Sequence, residues 1–330
     1  MPANHFGHVV ENLAAADAVL VIDETGFLKQ GKVSCGVSRQ YTGSAGKITN
    51  CQIGVFAAYV SRRGHAFIDR VLYLPKSWTD DPARLKAAHV PADMGIATQP
   101  QIAARMIERA IAAEVPFSWV AADTVYGMVD IERDLRCAGK GYVLGVSSTH
   151  WFGSWSKKRP IAGTAADIAE ALKPADWKRL SAGTVQKDRD CMIGPISNWP
   201  ISKQMSSMMN FTVCGCAGFW CIVTSPMASW RSSRPGTRPG TPINRLVAVE
   251  GHRWSIEDSF ETAKNELGLD HNETRSWHGW HRHVSLVMLA FAMMATIRQR
   301  ANQPMPKKTR PQSARKRPTS SAGRSRKSVA

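Results

Sequence analysis

Acidic residues are scarce in this chain. Its 26 Asp and Glu face 43 Lys and Arg, a formal net charge of +17, and the isoelectric point is near 9.9. That balance departs from an ordinary cytosolic enzyme and points to a polyanionic partner, because Lys and Arg gain affinity by releasing counterions from phosphates. The shortage is local as well as global. No acid occurs between Asp190 and Glu250, and the tail after Gln303 carries nine Lys or Arg with none. A secretory signal is also missing: residues 1–11 have neither a basic start nor an apolar core. The longest apolar run, residues 284–297, is too short to span a bilayer and reads as a buried core helix. Seven irregularly spaced cysteines exclude a disulfide framework and a zinc site, so the expected location is a reducing cytoplasm with no membrane partner.

What is present alternates. Residues 18–23 (AVLVID) form a short apolar run ending in an acid, the pattern of a buried strand, and a turn-rich stretch follows through Gly46. Two β-rich runs come next, at 51–60 and 66–74. A helix is expected over 99–113, where Ile102, Met106, Ala110 and Ala113 keep the 3.6-residue period. A strand over 117–121 leads into Asp123, a helix follows over 131–138, and a fifth strand over 142–146. A leading antiparallel meander followed by alternating β and α elements implies an α/β fold, a mixed sheet flanked by helices in the RNase H-like order. A doubly wound nucleotide-binding sheet lacks support, since its βαβ start and Gly-rich first turn are absent. The stretch TGSAGK, residues 42–47, fails as a phosphate loop. It has two residues instead of four between Gly43 and Gly46, and Ile48 stands where Ser or Thr is needed. Order resumes near Leu246, with an amphipathic helix over 252–267, a Trp- and His-rich turn, and a helix over 284–300.

Phosphodiester chemistry with two metal ions needs carboxylates that converge from separate elements, and hard Mg²⁺ is satisfied by two or three acids plus water. Asp23 and Asp123 close two strands that are neighbours in the RNase H-like order. Either could equally be a turn or cap residue. Glu257 lies in HRWSIEDSFETAKNELGLD, where Arg253, Glu257, Phe260 and Lys264 fall within roughly 60° on one helix face. A carboxylate between two cations could hold metal while Arg253 and Lys264 grip phosphates; a solvated helix laced with ion pairs would look the same. Lys29, Lys32, Arg39 and Lys47 are candidate phosphate contacts. His278, His281 and His283 cluster with Trp277 and Trp280 as an aromatic, basic turn lying near DNA or simply packing.

Three blocks, VIDETGFLKQGKVSCGVSRQYTGSAGKITNCQIGVFAAYVS, AADTVYG and RWSIEDSFETAKNELGLDHNETRSWHGWHRH, resemble those of DDE transposases of bacterial insertion sequences. The branch in question carries a Tyr-x2-Arg-x3-Glu-x6-Lys signature. Arg253, Glu257 and Lys264 match its last three terms, while position 250 is Glu rather than Tyr. The resemblance implies Asp23, Asp123 and Glu257 as catalytic, metal-binding triad, with Arg253, Lys264, Lys29 and Lys32 on DNA. It implies two Mg²⁺ or Mn²⁺ ions as cofactors, and double-stranded DNA (element ends and target) as partner, engaged by a homodimer near the nucleoid. Glu24 and Glu261 are nearby acids that could be mistaken for members. The implied activity is cleavage followed by strand transfer. An inactive DNA-binding remnant, or an RNase H-like nuclease that cuts without joining, are the alternatives.

The implied organisation is an N-terminal remnant (1–17), a core (18–183), an insertion (184–245), a segment with the third acid and a core helix (246–302), and a basic disordered tail (303–330). The insertion holds four of the seven cysteines and no hydrophobic period. Residues 193–207, back-translated and read one nucleotide earlier, give DWAYLELADLEADEF for one allowed codon choice; residues 222–236 give YRHIADGELAFFSTW, and 319–330, read on into the codon that follows, give DLIRWSVQEIRRV. Such acidic, amphipathic strings predict that about 184–237, and the tail after about residue 308, are translated out of frame. Sequencing the gene checks this: a frame restored by a single-nucleotide correction is expected, and an unshifted frame would refute it.

Overall fold

A computed structural model describes residues 3–154, 161–171, 178–181, 210–216, 219–224, 229–236 and 241–302. The chain opens with helix α1 (Ala3–Leu13), then strands β1 (Val19–Leu28), β2 (Ser38–Thr42), β3 (Lys47–Ser61) and β4 (Gly64–Leu72). Short helices α2 (Lys76–Thr79) and α3 (Pro82–Ala87) lead to α4 (Gln99–Ala112), β5 (Trp119–Ala122), α5 (Val129–Cys137) and β6 (Gly141–Val146). The hairpin of β7 (Trp151–Ser154) and β8 (Ile161–Thr164) and helix α6 (Ala165–Ala171) follow. Next come β9 (Lys178–Ser181), β10 (Asn210–Cys216), β11 (Phe219–Thr224) and β12 (Ser229–Gly236). Helices α7 (Ile243–His252), α8 (Trp254–Leu267) and α9 (Trp277–Ala301) close the described chain.

β3 lies antiparallel between β1 on one side and β2 and β4 on the other, and β1, β5 and β6 run parallel. Four antiparallel strands, one more than the three expected, followed by two that run parallel to β1, with helices against the sheet, make the mixed α/β, RNase H-like architecture that the element order implied. The strands on the parallel side are buried throughout, which explains their unbroken apolar runs: Val19–Ile22 on β1 and Val120–Ala122 on β5 are almost fully hidden. α4 starts on a reciprocal capping box, in which the Thr98 hydroxyl accepts from the Gln101 amide while the Gln101 side chain accepts from the Thr98 amide.

Five departures from the sequence reading matter. β1 does not stop at Asp23; its ladder with β3 continues to Leu28, because Thr25 and Phe27 are buried on it. α1, set apart as a remnant, belongs to the core, with Val9 and Leu13 fully buried and Tyr59 joined to the Ala15 backbone. The helix expected over 252–267 is present as α8, and a further helix, α7, precedes it and meets it at Arg253. The Trp- and His-rich turn is the beginning of α9, nucleated by the Ser276 hydroxyl accepting from the Gly279 amide. Finally, β10, β11 and β12 run through the stretch that showed no hydrophobic period and was expected to be out of frame; β12 pairs with β6 and extends the sheet. Backbone pairing asks only for β-prone residues, which Phe211–Val213 and Phe219–Val223 supply. The expectations for 184–209 and for the tail 303–330 lie outside the described residues.

α9 is long and apolar enough to cross a membrane by length and composition. Its buried residues, from Trp277 and Trp280 through Val284, Val287, Met288 and Phe291, recur at helical spacing against the sheet, the pattern of a core helix.

An aromatic cluster ties α8 and α9 to the antiparallel strands. Phe56 meets Phe260 edge-on at 5.3 Å, Phe260 stacks on Phe67 at 5.3 Å, and Phe27 meets Trp280 edge-on at 5.8 Å. Such pairs each add about 0.5–1.5 kcal/mol beyond their buried area. Gly54 sits beneath them, where an added Cβ would lie 2.8 Å from Phe56 and 2.9 Å from Trp280. Gly54→Ala should therefore cost about 1–3 kcal/mol by overpacking. Gly7→Ala, in an open position on α1, should gain up to about 1 kcal/mol from helix propensity. Urea midpoints measure both; equal effects of the same sign would contradict the packing described.

Candidate active site

The parallel ladder between β1 and β5 places Ile22 opposite Ala122, so Asp23 and Asp123 are the next residues on adjacent strands, which lie about 4.8 Å apart. Their carboxylates are oriented locally. The Glu24 amide donates to Asp23 Oδ1 at 2.9 Å, and the Thr124 amide donates to Asp123 Oδ1 at 2.7 Å. Glu257 arrives from the first turn of α8, held over β1 and β3 by the Phe260 contacts three residues further on.

Arg253 joins the three. It sits at the α7–α8 junction with a side chain only 2% exposed. Its Nη1 lies 3.2 Å from Glu257 Oε1 and 4.0 Å from Asp123 Oδ2, and its Nε lies 3.4 Å from Glu250 Oε1. Asp123 and Glu257, 134 positions apart in the chain, thus share one guanidinium nitrogen. Asp23 lies within electrostatic reach of both Arg253 and Glu257. Burial draws the Arg253 pKa down, but Glu250, Asp123, Glu257 and Asp23 together lift it above its ordinary value.

The acids around Arg253 outnumber it. Burial, reinforced by the neighbouring Glu24, pushes the Asp23 carboxyl well above the usual range against the pull of Arg253 and the Glu24 amide. Burial likewise raises Glu24, although Tyr126 donates to its Oε2 at 2.5 Å. The phenol of Tyr126 is itself pushed well up by burial and by Glu24. On the other side of the site, Lys264 Nζ donates to Thr25 Oγ1 at 2.7 Å, Ser44 Oγ at 3.0 Å and the Gly26 carbonyl at 3.3 Å. Burial lowers its pKa, with Asp270 opposing.

The structure brings together Asp23, Asp123, Glu257 and Arg253, but corrects the role read for Arg253. Its guanidinium is turned inward onto carboxylates rather than outward toward phosphates. Lys264 is half-buried and fastens α8 to β1 and the β2–β3 turn. Lys29 Nζ donates to the Asn272 carbonyl; Lys32 and Arg39 are exposed, as is Lys47. The three histidines diverge along α9. His281 packs against Trp277 and Trp280, His283 Nε2 lies 3.0 Å from the Gly268 carbonyl, and His278 is exposed. Burial, with Arg70 and His278 nearby, pushes the His281 pKa down to about 3, which suits a packing residue. Glu261 points away into solvent. Sequence reading missed Glu250, Tyr126 and the involvement of Glu24. The signal for Glu250 was its place in the signature, three residues before Arg253, where an acid can pair with it as readily as a tyrosine could.

A family model described as DDE superfamily endonuclease matches residues 5–189. No curated protein matches the chain. The match includes Asp23 and Asp123 and ends before Glu257, so it is the fold that joins the third acid to the other two.

Replacing Arg253 by Met would leave its carboxylates without a buried counter-charge. The expected loss is about 3 kcal/mol, the low end for breaking a buried pair, because Glu257 is 41% and Asp123 32% exposed and solvent screens them. The pH dependence follows from the raised carboxyl pKa values of Asp23 and Glu24: folded carboxyls take up protons at a higher pH than unfolded ones, so the deficit should shrink as pH falls from 7 toward the ordinary carboxylate range. Urea unfolding across pH measures it; a deficit that is constant or grows on acidification would contradict the assignment.

Proposed function

The chain belongs to the DDE superfamily endonucleases, and on that premise we propose that it is the transposase of a bacterial insertion sequence, cutting DNA at the element's ends and joining the freed ends to target DNA. The observation that carries this reading is the convergence of Asp23, Asp123 and Glu257, from a strand, a strand end and a helix, on the single guanidinium of Arg253.

Endonucleases of this family use divalent metal ions. The residues here fit such ions in kind: Asp23, Asp123, Glu250 and Glu257 gather around the buried Arg253, with Glu24 beside Asp23, so that hard oxygen ligands outnumber the cation they surround. Among the described residues no three His, Cys, Asp or Glu side chains are grouped closely enough to hold a metal ion, so ions here would need water and substrate oxygens beside the carboxylates. We assign two Mg²⁺ or Mn²⁺ ions to Asp23, Asp123 and Glu257; when bound, they would activate the attacking oxygen and stabilise the leaving one.

The chain's own groups do the rest. Arg253 holds Glu257 and Asp123 in fixed positions, and Lys264 anchors α8 so that Glu257 stays over Asp23. In the first reaction the oxygen of water bonds to phosphorus and the bond to the 3′ oxygen breaks, leaving a 3′ hydroxyl. In the second, that hydroxyl loses its proton and bonds to a target phosphorus, whose own 3′ oxygen departs. Double-stranded DNA is the partner that the +17 charge favours, with Lys32 and the basic tail offered to phosphates. A homodimer on DNA, in the bacterial cytoplasm at the nucleoid, completes the reading.

A labelled duplex carrying the element's end, with Mg²⁺, tests it. Cleaved and joined products are expected from the wild type. Asp23→Asn and Glu257→Gln should each abolish cleavage while binding in a gel shift stays within about threefold, since binding rests on cations. Mg²⁺-dependent cleavage by either variant would overturn the triad. Cutting without joining would identify a nuclease, and binding without cutting an inactive remnant.

A further inference from the structure

Away from the carboxylates, at the outer edge of the sheet, β4 pairs with β3 alone among the described strands. A cavity of about 410 Å³ opens there between β4, α4, residues 94–97 and the start of α9. Its volume falls in the range of small-ligand sites, roughly 300–1,000 Å³. Three guanidinium groups line it: Arg70 from β4, and Arg105 and Arg109 from α4. One acid, Asp69, is present, and Arg109 already takes its Oδ2 at 2.6 Å. The cavity therefore keeps an excess of positive charge.

Two buried polar atoms in its wall have no partner, Nε of Arg70 and Nε2 of His281. Arg70 is held from behind, its Nη2 donating to Ser285 Oγ at 2.5 Å, so its remaining N–H edge is fixed in place. The other walls are flat or apolar, above all the Trp277 ring, which lies 4.3 Å from the ring of His281. Buried donors left unpaired are disfavoured, a guanidinium fork matches phosphate oxygens, and an aromatic face accepts any base by stacking.

We propose that this cavity is a nucleotide-binding site, taking the phosphate of a nucleoside monophosphate on Arg70 and Arg105 and its base against Trp277. The ligand is either a free mononucleotide or a nucleotide within a DNA strand; both present the same phosphate and base. The site uses none of the carboxylates assigned to strand chemistry and stands independently of that assignment.

Calorimetric titration of the full chain with dAMP, in EDTA so that no divalent ion bridges the phosphate to the carboxylates, is the test. Saturable binding of one dAMP per chain is expected. Arg105→Glu, at an exposed position that the fold tolerates, should weaken it at least tenfold with an unchanged circular dichroism spectrum, as should Arg70→Gln. Asp23→Asn should bind dAMP as the wild type does. Competition by a single-stranded oligonucleotide would support the proposal with the strand as source, and undiminished dAMP binding would support it with the free nucleotide. Absence of saturable binding at millimolar dAMP, or equal affinity in Arg105→Glu, would overturn it. So would loss of binding in Asp23→Asn, which would place the ligand at the carboxylates.

Discussion

A guanidinium buried among carboxylates is expensive to desolvate, and the site depends on that one arrangement being complete. Arg253 is 2% exposed and touches Glu250, Glu257 and Asp123. Charges taken out of water are tolerated only when paired and hydrogen-bonded, so Arg253 fixes where Glu257 and Asp123 can be. The helix junction at Arg253 follows the same logic: α7 ends and α8 begins on this residue, which points its side chain into the space between the strands and α8. Glu250, from the last turns of α7, then closes the pair from behind.

Apolar packing supplies the precision that electrostatics lacks. Coulomb attraction would accept many placements of α8, whereas interlocking rings at 5–6 Å accept few. Phe260 lies three residues beyond Glu257 and is gripped by Phe56 and Phe67. Phe56 is the register partner of Asp23. The strand carrying the first acid and the helix carrying the third are therefore locked through one aromatic contact, and Lys264 adds a polar fastening a turn further along.

The core strands β1, β3, β4, β5 and β6 were legible because each carries an apolar run bounded by turn residues, whereas the polar β2, Ser38–Thr42, read as part of a turn-rich stretch. The acids at 23 and 123 were legible because a buried strand that runs into a carboxylate is uncommon enough to notice. Helical geometry also placed Arg253, Glu257, Phe260 and Lys264 on one face. What that face would meet was not legible: periodicity does not reveal what lies across from a helix, so Arg253 read as a surface cation and proved to be the buried hub. Tyr126 and Glu24 were missed for the same reason, since a hydrogen bond across 102 positions leaves no local pattern. α1 was undervalued because Gly7 and two histidines dilute its apolar stripe. The start of α9 was hidden because Trp, His and Gly are weak helix formers, overruled here by the Ser276 cap and by burial of Trp277 and Trp280.

The claim on which the whole account turns is that Asp23, Asp123 and Glu257 form one cation-holding centre. Titration of the full chain with Mn²⁺, followed by electron paramagnetic resonance of the free ion, tests it without relying on turnover. The account predicts two bound ions per chain, the number that two-metal phosphoryl transfer requires, with occupancy reduced in both Asp123→Asn and Glu257→Gln. Wild-type stoichiometry and affinity in those two variants would contradict it.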